Sequence, residues 1–337
     1  MILDDKANHV VVIMPSWVGD IVMATPALRL LHQAMPNTSI TAALRPGLAP
    51  LLEGIDAIQN CIEIQPKGLL GPFTAGRKIG RLNPDAVILL PNSMRSALTA
   101  RLSNTRIRIG SARQGRSSLL THAIASPSTG EIRTTLDDYL AMANEITGSG
   151  TDDRQPRLGV TPNDLQAASN AMALDGEPFV VLVPGANRMD KRWPARQFSR
   201  IAERLSHERG LRIAVAGSPA EQPLVRSLVE EATCPTIDLA AANPGLGGLK
   251  AIMQAASLVI TNDTGPRHIA AALGTPVVSL FGPTDHRWTV LPDIAERRLL
   301  AEPFLPDSLV ADKCPGICRI DRITVEDVYA AAAELLS

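Results

Sequence analysis

The sequence predicts an α/β protein made of two Rossmann-like domains in tandem, with parallel sheets facing a central cleft. Three observations lead there. At 337 residues the chain exceeds the roughly 100–200 residues of a usual single domain. Short apolar runs alternate with longer amphipathic stretches from end to end. Between two such series lies GSGTDDRQPRLGVTPND, rich in Gly, Pro, Asp and Thr, a composition that suits a connection.

In the first series, residues 9–14, 39–44 and 85–90 read as buried strands, being β-rich and bounded by turn residues. Residues 20–35 and 93–102 carry helical spacing. Pro26 is expected in or near the first turn of the former, where a missing N–H is tolerated. The second series is cleaner. Residues 179–183, 211–216, 258–261 and 277–281 are its strands, and 195–209, 219–232, 246–256 and 266–273 its helices. Strand–helix–strand alternation implies parallel sheets with right-handed crossovers. The expected division is 1–160 for a first Rossmann-like domain, 161–177 for the linker, 178–324 for a second Rossmann-like domain and 325–337 for a last helix. That helix suits packing on either domain. Hydrophobic residues make up 45% of the chain and aromatics 3%, so both cores must be built from Leu, Ile, Val and Ala.

A formal charge of −1 argues against a uniformly basic nucleic-acid binder. The start, MILDDKANHVVVIM, has acidic residues before a short apolar run, unlike a secretory signal. No window holds the roughly 18 apolar residues of a membrane helix. A cytoplasmic location is the expectation, with docking on the inner membrane's cytoplasmic face left open. Cys61, Cys234, Cys314 and Cys318 form no CxxC pair, and no metal site or cofactor is expected.

Ligands of open α/β sheets bind beyond the carboxyl ends of the strands, so the loops there carry the chemistry. The strongest is NDTGPRH, residues 262–268. Asp263 stands at a strand exit, Thr264 and Gly265 open a helix, Pro266 follows, and His268 lies in the first turn. Free amides and the positive end of the helix dipole suit a diphosphate. Plain capping by Asp263 or Thr264 is the alternative. The second loop, PGANRMDKRWP (184–194), offers Lys191 to neutralise a leaving phosphate and Asn187 to donate to one. The third, PSWVGD (15–20), lacks the dinucleotide GxGxxG and offers a carboxylate, Asp20, at a helix start. The dipole there is expected to keep it ionised, as a general base toward an acceptor hydroxyl requires; helix capping is again the alternative. No D-x-D occurs, so the usual device for holding a divalent ion against a diphosphate is missing. Between Arg77 and Arg116 nine basic residues stand against one acidic residue, a local charge of +8, flanked by the apolar segments 68–73 and 119–125. Such a face suits an anionic leaflet or a phosphorylated glycolipid, although charge runs are often merely solvated. Nucleic acid is disfavoured there for want of stacking aromatics.

Taken together, PSWVGDIVMATPALRLL, LPNSMRSAL, VPGANRMDKRWP and TNDTGPRHIAAALGTPVVSLFGPT resemble, in order and spacing, the ADP-heptose:lipopolysaccharide heptosyltransferases of glycosyltransferase family nine. PSWVGD and LPNS are usual in its branch that adds the second inner-core heptose. The resemblance implies a GT-B fold and an inverting transfer from ADP-heptose to a core hydroxyl. It also implies roles. Asp20 matches the catalytic base, and Lys191 the lysine that meets the donor phosphate. Asp263 matches the carboxylate near the donor sugar, Thr264, Gly265 and His268 match phosphate contacts, and Glu221 falls where an acid meets the ribose. Asn92, Ser93, Arg95, Arg113 and Arg116 then become the acceptor side, facing a phosphorylated glycolipid. Two departures stand out: the tail CPGICRIDRITVEDV, and Arg267 in place of a residue that is often apolar. The rival functions are a related transferase using another nucleotide sugar, a nucleotide-sugar epimerase on the same architecture and a non-catalytic nucleotide-sugar-binding protein.

Overall fold

The computed structural model describes residues 2–3, 7–125, 133–301 and 316–337. The chain folds into two compact units, Met1–Gly159 and Val160–Ser337.

In the first unit the order is β1 (His9–Ile13), α1 (Val18–Met23), α2 (Thr25–Ala34), β2 (Ser39–Leu44), α3 (Ala49–Leu52), β3 (Asn60–Glu63), α4 (Gly71–Gly80), β4 (Ala86–Leu89), α5 (Met94–Leu102), β5 (Ile107–Ser111), β6 (His122–Ile124) and α6 (Thr135–Thr147). The strands form one parallel sheet in the order β3-β2-β1-β4-β5-β6. Strand order reverses between β1 and β4, so the loops leaving those two strands flank the topological switch point. Both strands are apolar along their length because helices cover both faces of the sheet. On one face Val11, Ile13, Val87 and Leu89 pack with Ala75, Ile79, Ala97 and Ala100 of α4 and α5.

The second unit comprises α7 (Pro162–Ala171), β7 (Phe179–Val183), α8 (Ala195–Arg209), β8 (Arg212–Val215), α9 (Gln222–Glu231), β9 (Thr236–Asp238), α10 (Leu239–Ala242), α11 (Gly245–Ala255), β10 (Leu258–Asn262), α12 (Gly265–Ala272), β11 (Val277–Phe281), β12 (Glu296–Leu300) and α13 (Val325–Leu335). Its parallel sheet, β12-β11-β10-β7-β8-β9, repeats the topology of the first, with β7 and β10 at the switch point. Helix α13 joins the core of this unit through Val325, Val328, Ala331 and Ala332.

Three expectations are corrected. The helix expected over 20–35 is two helices broken at Ala24, because Pro26 has no N–H to offer the carbonyl of Val22. The Thr25 hydroxyl takes that carbonyl instead, at 2.8 Å. The expected linker 161–177 contains α7, opened by a reciprocal capping box between Thr161 and Asp164 with Pro162 in its first turn. Helix α7 packs on α11, where Asp164 also meets the buried Lys250 ammonium at 3.2 Å. Finally, β3, β5, β6, β9 and β12 add to the strands that the apolar runs predict; they are short or carry charges. Cys314 lies outside the described residues, while Cys318 is buried.

Candidate active site

In the second unit the site is assembled by the loops leaving β7, β8, β10 and β11. Asn262, fully buried at the end of β10, holds the first of these loops. Its Oδ1 accepts from the Trp193 amide at 3.0 Å, and its Nδ2 donates to the carbonyls of Pro184 and Gly185 at 2.9 and 3.3 Å. Trp193 is buried against Phe198, edge to face at 5.0 Å, and its indole N–H donates to the Ile323 carbonyl at 2.8 Å. The loop between these anchors is therefore held at both ends. Lys191, in a 3-10 turn just before Trp193, reaches Asp263 with its ammonium 3.2 Å from Oδ2. Asn187 is exposed on the same loop.

Asp263 follows β10 and collects donors. Its Oδ2 accepts from Lys191 and from the Thr284 hydroxyl at 3.1 Å, and its Oδ1 lies 3.6 Å from the Arg267 guanidinium. Burial pushes its carboxyl up, but the charges of Arg267 and Lys191 outweigh this and hold it below the usual carboxylate range. Thr264 takes the N-cap position of α12 in extended conformation, yet no side chain caps that helix. The Thr264 hydroxyl turns instead to the Asn262 carbonyl at 3.3 Å. The capping alternative for NDTGPRH therefore fails, and the first amides of α12 are left without a side-chain cap.

Arg267 explains how the sequence departs from an apolar residue at no loss of satisfaction. The side chain is fully buried and clasps Glu296 of β12 with two hydrogen bonds, of 2.6 and 3.0 Å. A third goes to the Thr289 hydroxyl at 3.0 Å, and the guanidinium stands 5.0 Å from the centre of the Phe281 ring. Glu296 in turn accepts from the Ser279 hydroxyl at 2.5 Å. Arg267, Glu296 and Thr284 had no place in the sequence-derived site, though a basic residue inside an apolar helix was a signal that a buried carboxylate must exist. His268 is buried, its Nδ1 has no hydrogen-bond partner, and desolvation with the Arg267 charge pushes its imidazole down to about 3. The ring enters the site neutral.

Glu221 lies in the turn after β8, where Oε2 accepts from the Ser218 amide and hydroxyl at 2.9 and 2.7 Å. Its Oε1 rests on Gly185: a Cβ added there would stand 2.2 Å away. A side chain in place of the glycine of PGAN would make the Glu221 carboxylate move aside.

In the first unit Asp20 is the third residue of α1 and is partly buried. No side chain caps α1, so here too the capping alternative fails. Burial pushes this carboxyl up, against the pull expected of the helix dipole. Tyr139 of α6 is its buried neighbour, and the phenol is pushed far up by burial, with the Asp20 charge adding.

The acceptor-side residues separate. Arg95 and Arg113 are exposed, the latter 3.3 Å from Asp138. Ser93 caps α5, its hydroxyl accepting from the Ser96 amide at 3.1 Å. Arg116 is corrected from a surface cation to a buried strut. It donates to the carbonyls of Ser111 and Pro91 at 2.9 and 2.5 Å, to the Ser96 hydroxyl at 3.1 Å and to Asn92 Oδ1 at 3.3 Å. It shapes the loop after β4 from beneath, so the nine basic residues do not make one face.

Residues 73–298 match the model of glycosyltransferase family 9 (heptosyltransferase). That segment contains the whole donor-side cluster and leaves out Asp20. Lipooligosaccharide heptosyltransferase 2 of Haemophilus influenzae is 30% identical over 298 residues, 83% of this chain and 85% of the relative. Among solved structures, a family 9 glycosyltransferase from Veillonella parvula superposes with a TM-score of 0.85 at 22% identity, covering 100% of this chain and 98% of its own. The ADP-heptose lipopolysaccharide heptosyltransferase II of Escherichia coli gives 0.82 at 23% identity, covering 97% and 98%. Both share the fold of this chain.

Proposed function

The chain belongs to glycosyltransferase family 9, the heptosyltransferases, and from that premise we propose an inverting transfer of heptose from ADP-heptose to a hydroxyl of the lipopolysaccharide inner core. The observation that carries the reading is the uncapped start of α12 beside a lysine held by an acidic strand exit. An arriving diphosphate takes the Gly265 amide and draws Lys191 from Asp263. Arg267 remains as the counter-charge of Asp263 when the lysine leaves, so that carboxylate stays ionised beside the donor sugar. Thr264, Asn187 and the neutral His268 complete the phosphate contacts, and Glu221 meets the ribose.

In the proposed chemistry Asp20 accepts the proton of the acceptor hydroxyl, whose oxygen forms a bond to the anomeric carbon. The bond from that carbon to the diphosphate oxygen breaks, and ADP departs with the electron pair. Charge growing on that oxygen is met by Lys191 and the α12 amides. A raised carboxyl suits Asp20 for this work, since a base gains strength as its pKa approaches the working pH. Asn92, Ser93, Arg95 and Arg113 line the acceptor side, and Arg116 supports it. A phosphorylated glycolipid acceptor also brings the enzyme to the inner membrane surface. Among the described residues no helix is long and apolar enough to cross a membrane.

Calorimetric titration with ADP and UDP, with and without EDTA, tests the donor site. ADP is expected to bind in preference to UDP and without metal, and Lys191→Ala to weaken it by about tenfold or more, as for loss of a charge-assisted contact. Failure of both nucleotides to bind would end the diphosphate reading. Conversion of the donor without any acceptor would favour the epimerase.

A further inference from the structure

Helices α4 and α5 lie side by side and touch through glycines. A Cβ on Gly76 would meet the Thr99 carbonyl oxygen at 2.7 Å and Leu102 Cβ at 2.9 Å, and one on Gly80 the Ser103 carbonyl oxygen at 2.5 Å. With no room between them, their outward sides form one surface. That surface is unusual twice over. Of the twelve exposed large hydrophobic side chains among the described residues, seven belong to it: Leu69, Leu70, Phe73, Leu82, Met94, Leu98 and Leu102. Scattered exposed leucines need no explanation, but a concentration of this kind marks an interaction surface. Leu69 and Leu70, at the entry to α4, are 102% and 73% exposed. Interleaved with them stand Arg77, Lys78, Arg81, Arg95, Arg101 and Arg106, and neither 69–82 nor 94–106 contains a single Asp or Glu. Phe73, Arg77, Arg81, Leu102 and Arg106 line one groove of about 550 Å³.

We propose that this outer face of α4 and α5 seats the enzyme on an anionic phospholipid bilayer. The inference rests on the reading of the acceptor as a membrane glycolipid. Arginine and lysine are attracted to anionic headgroups, while leucine and phenylalanine enter the boundary between headgroups and acyl chains. A second copy of the chain fits poorly, because a two-fold interface would set these cations against themselves. Nucleic acid fits poorly too, since Phe73 is the one aromatic side chain in the two segments and stacking platforms need several. Placement supports the bilayer as well. Leu69 and Leu70 follow β3, and Asp20 follows β1, so both emerge at the carboxyl edge of one parallel sheet. In the order β3-β2-β1 the two strands that they follow are two spacings apart, roughly 10 Å. The apolar tip and the proposed base therefore share the carboxyl edge of one sheet.

The test is sedimentation of the full chain with vesicles of phosphatidylcholine alone and of phosphatidylcholine mixed with phosphatidylglycerol. Binding is expected to be at least about tenfold tighter to the mixed vesicles and to weaken with added salt. Two variants sharpen it: Arg77→Glu/Arg81→Glu/Arg106→Glu, and Leu69→Ser/Leu70→Ser/Phe73→Ser. Each is expected to lose about tenfold or more in binding to the mixed vesicles. Each should keep an ADP affinity within about twofold of the parent, because neither touches the donor site. Equal binding to both vesicle types overturns the proposal. So do variants that bind like the parent, a dimer that the charge reversal dissociates, or displacement from vesicles by short duplex DNA. Loss of vesicle binding with ADP binding intact removes this surface alone, whereas absent ADP binding in the parent chain removes the donor site alone.

Discussion

Asp20 and Asp263 hold comparable posts in the two halves of the molecule. Each follows a switch-point strand of a six-stranded parallel sheet, β1 in one and β10 in the other, and each stands at the opening of a helix. Their environments push them in opposite directions. Asp20 has a buried phenol beside it and its carboxyl is raised; Asp263 has Arg267, Lys191 and Thr284, and its carboxyl is lowered. Fold position sets a carboxylate beyond a central strand, and its neighbours set the direction in which its pKa moves. The repeated topology thus holds two carboxylates in opposite electrostatic settings.

The largest expected break in that comparison is Asp20→Asn. Turnover should fall by about 100- to 10,000-fold, the range for a general base, with ADP affinity nearly unchanged. Thermal stability should hold or rise, because the variant removes a carboxylate that burial disfavours. ADP release assays and a melting curve together read this, and equal loss of turnover and ADP binding would show a structural role. In the parent enzyme the acid limb of kcat/KM should lie above the ordinary aspartate range, since activity disappears as Asp20 takes up its proton. Asp263, with a lowered carboxyl, stays charged through that range. Its contribution to stability is present above the unfolded value of about 3.9 and fades only as pH falls through its lower folded value.

A second break lies in the charge beneath Asp263. Arg267→Met strips the cation from Glu296 and Asp263 and leaves two buried carboxylates, a loss expected to cost about 3–5 kcal/mol of stability. Urea unfolding measures it, and Arg267→Met/Glu296→Gln should recover part of the loss. A variant that unfolds at the parent's midpoint would show that the buried clasp contributes nothing.

The smallest effect concerns His268. Its folded pKa of about 3 lies below the unfolded value of about 6.5. The unfolded chain therefore binds the proton first, and stability from this group falls as pH drops from about 6.5 toward 3, then levels. His268→Leu should flatten that stretch of a plot of Tm against pH, and an unchanged slope would place the dependence elsewhere.

Much of this is legible in the order of residues alone. The apolar runs mark β1, β2, β4, β7, β8, β10 and β11, because buried parallel strands read as continuous hydrophobic segments. The outer strands are harder to read. IRIGS of β5, next to the edge of its sheet, and ERRLL of β12, at the edge of the other, carry charges, and a charged strand resembles a loop. Helix α7 is announced by Thr161, Pro162 and Asp164, but the surrounding Gly, Pro and Asp suggest a linker and hide the capping box.

By itself, then, the sequence determined the double Rossmann-like pattern and the loops that leave its central strands. It also determined the residue types that suit a nucleotide-sugar donor and a hydroxyl acceptor. Those features are local, written in spacings of a few residues. Only the tertiary structure decided partnerships: Lys191 with Asp263 across 72 positions, Arg267 with Glu296 across 29, and Arg116 beneath the β4 loop. It also decided that burial raises the Asp20 carboxyl. Such facts depend on which strands lie side by side and on how much water is excluded, and neither is a property of any short stretch of chain.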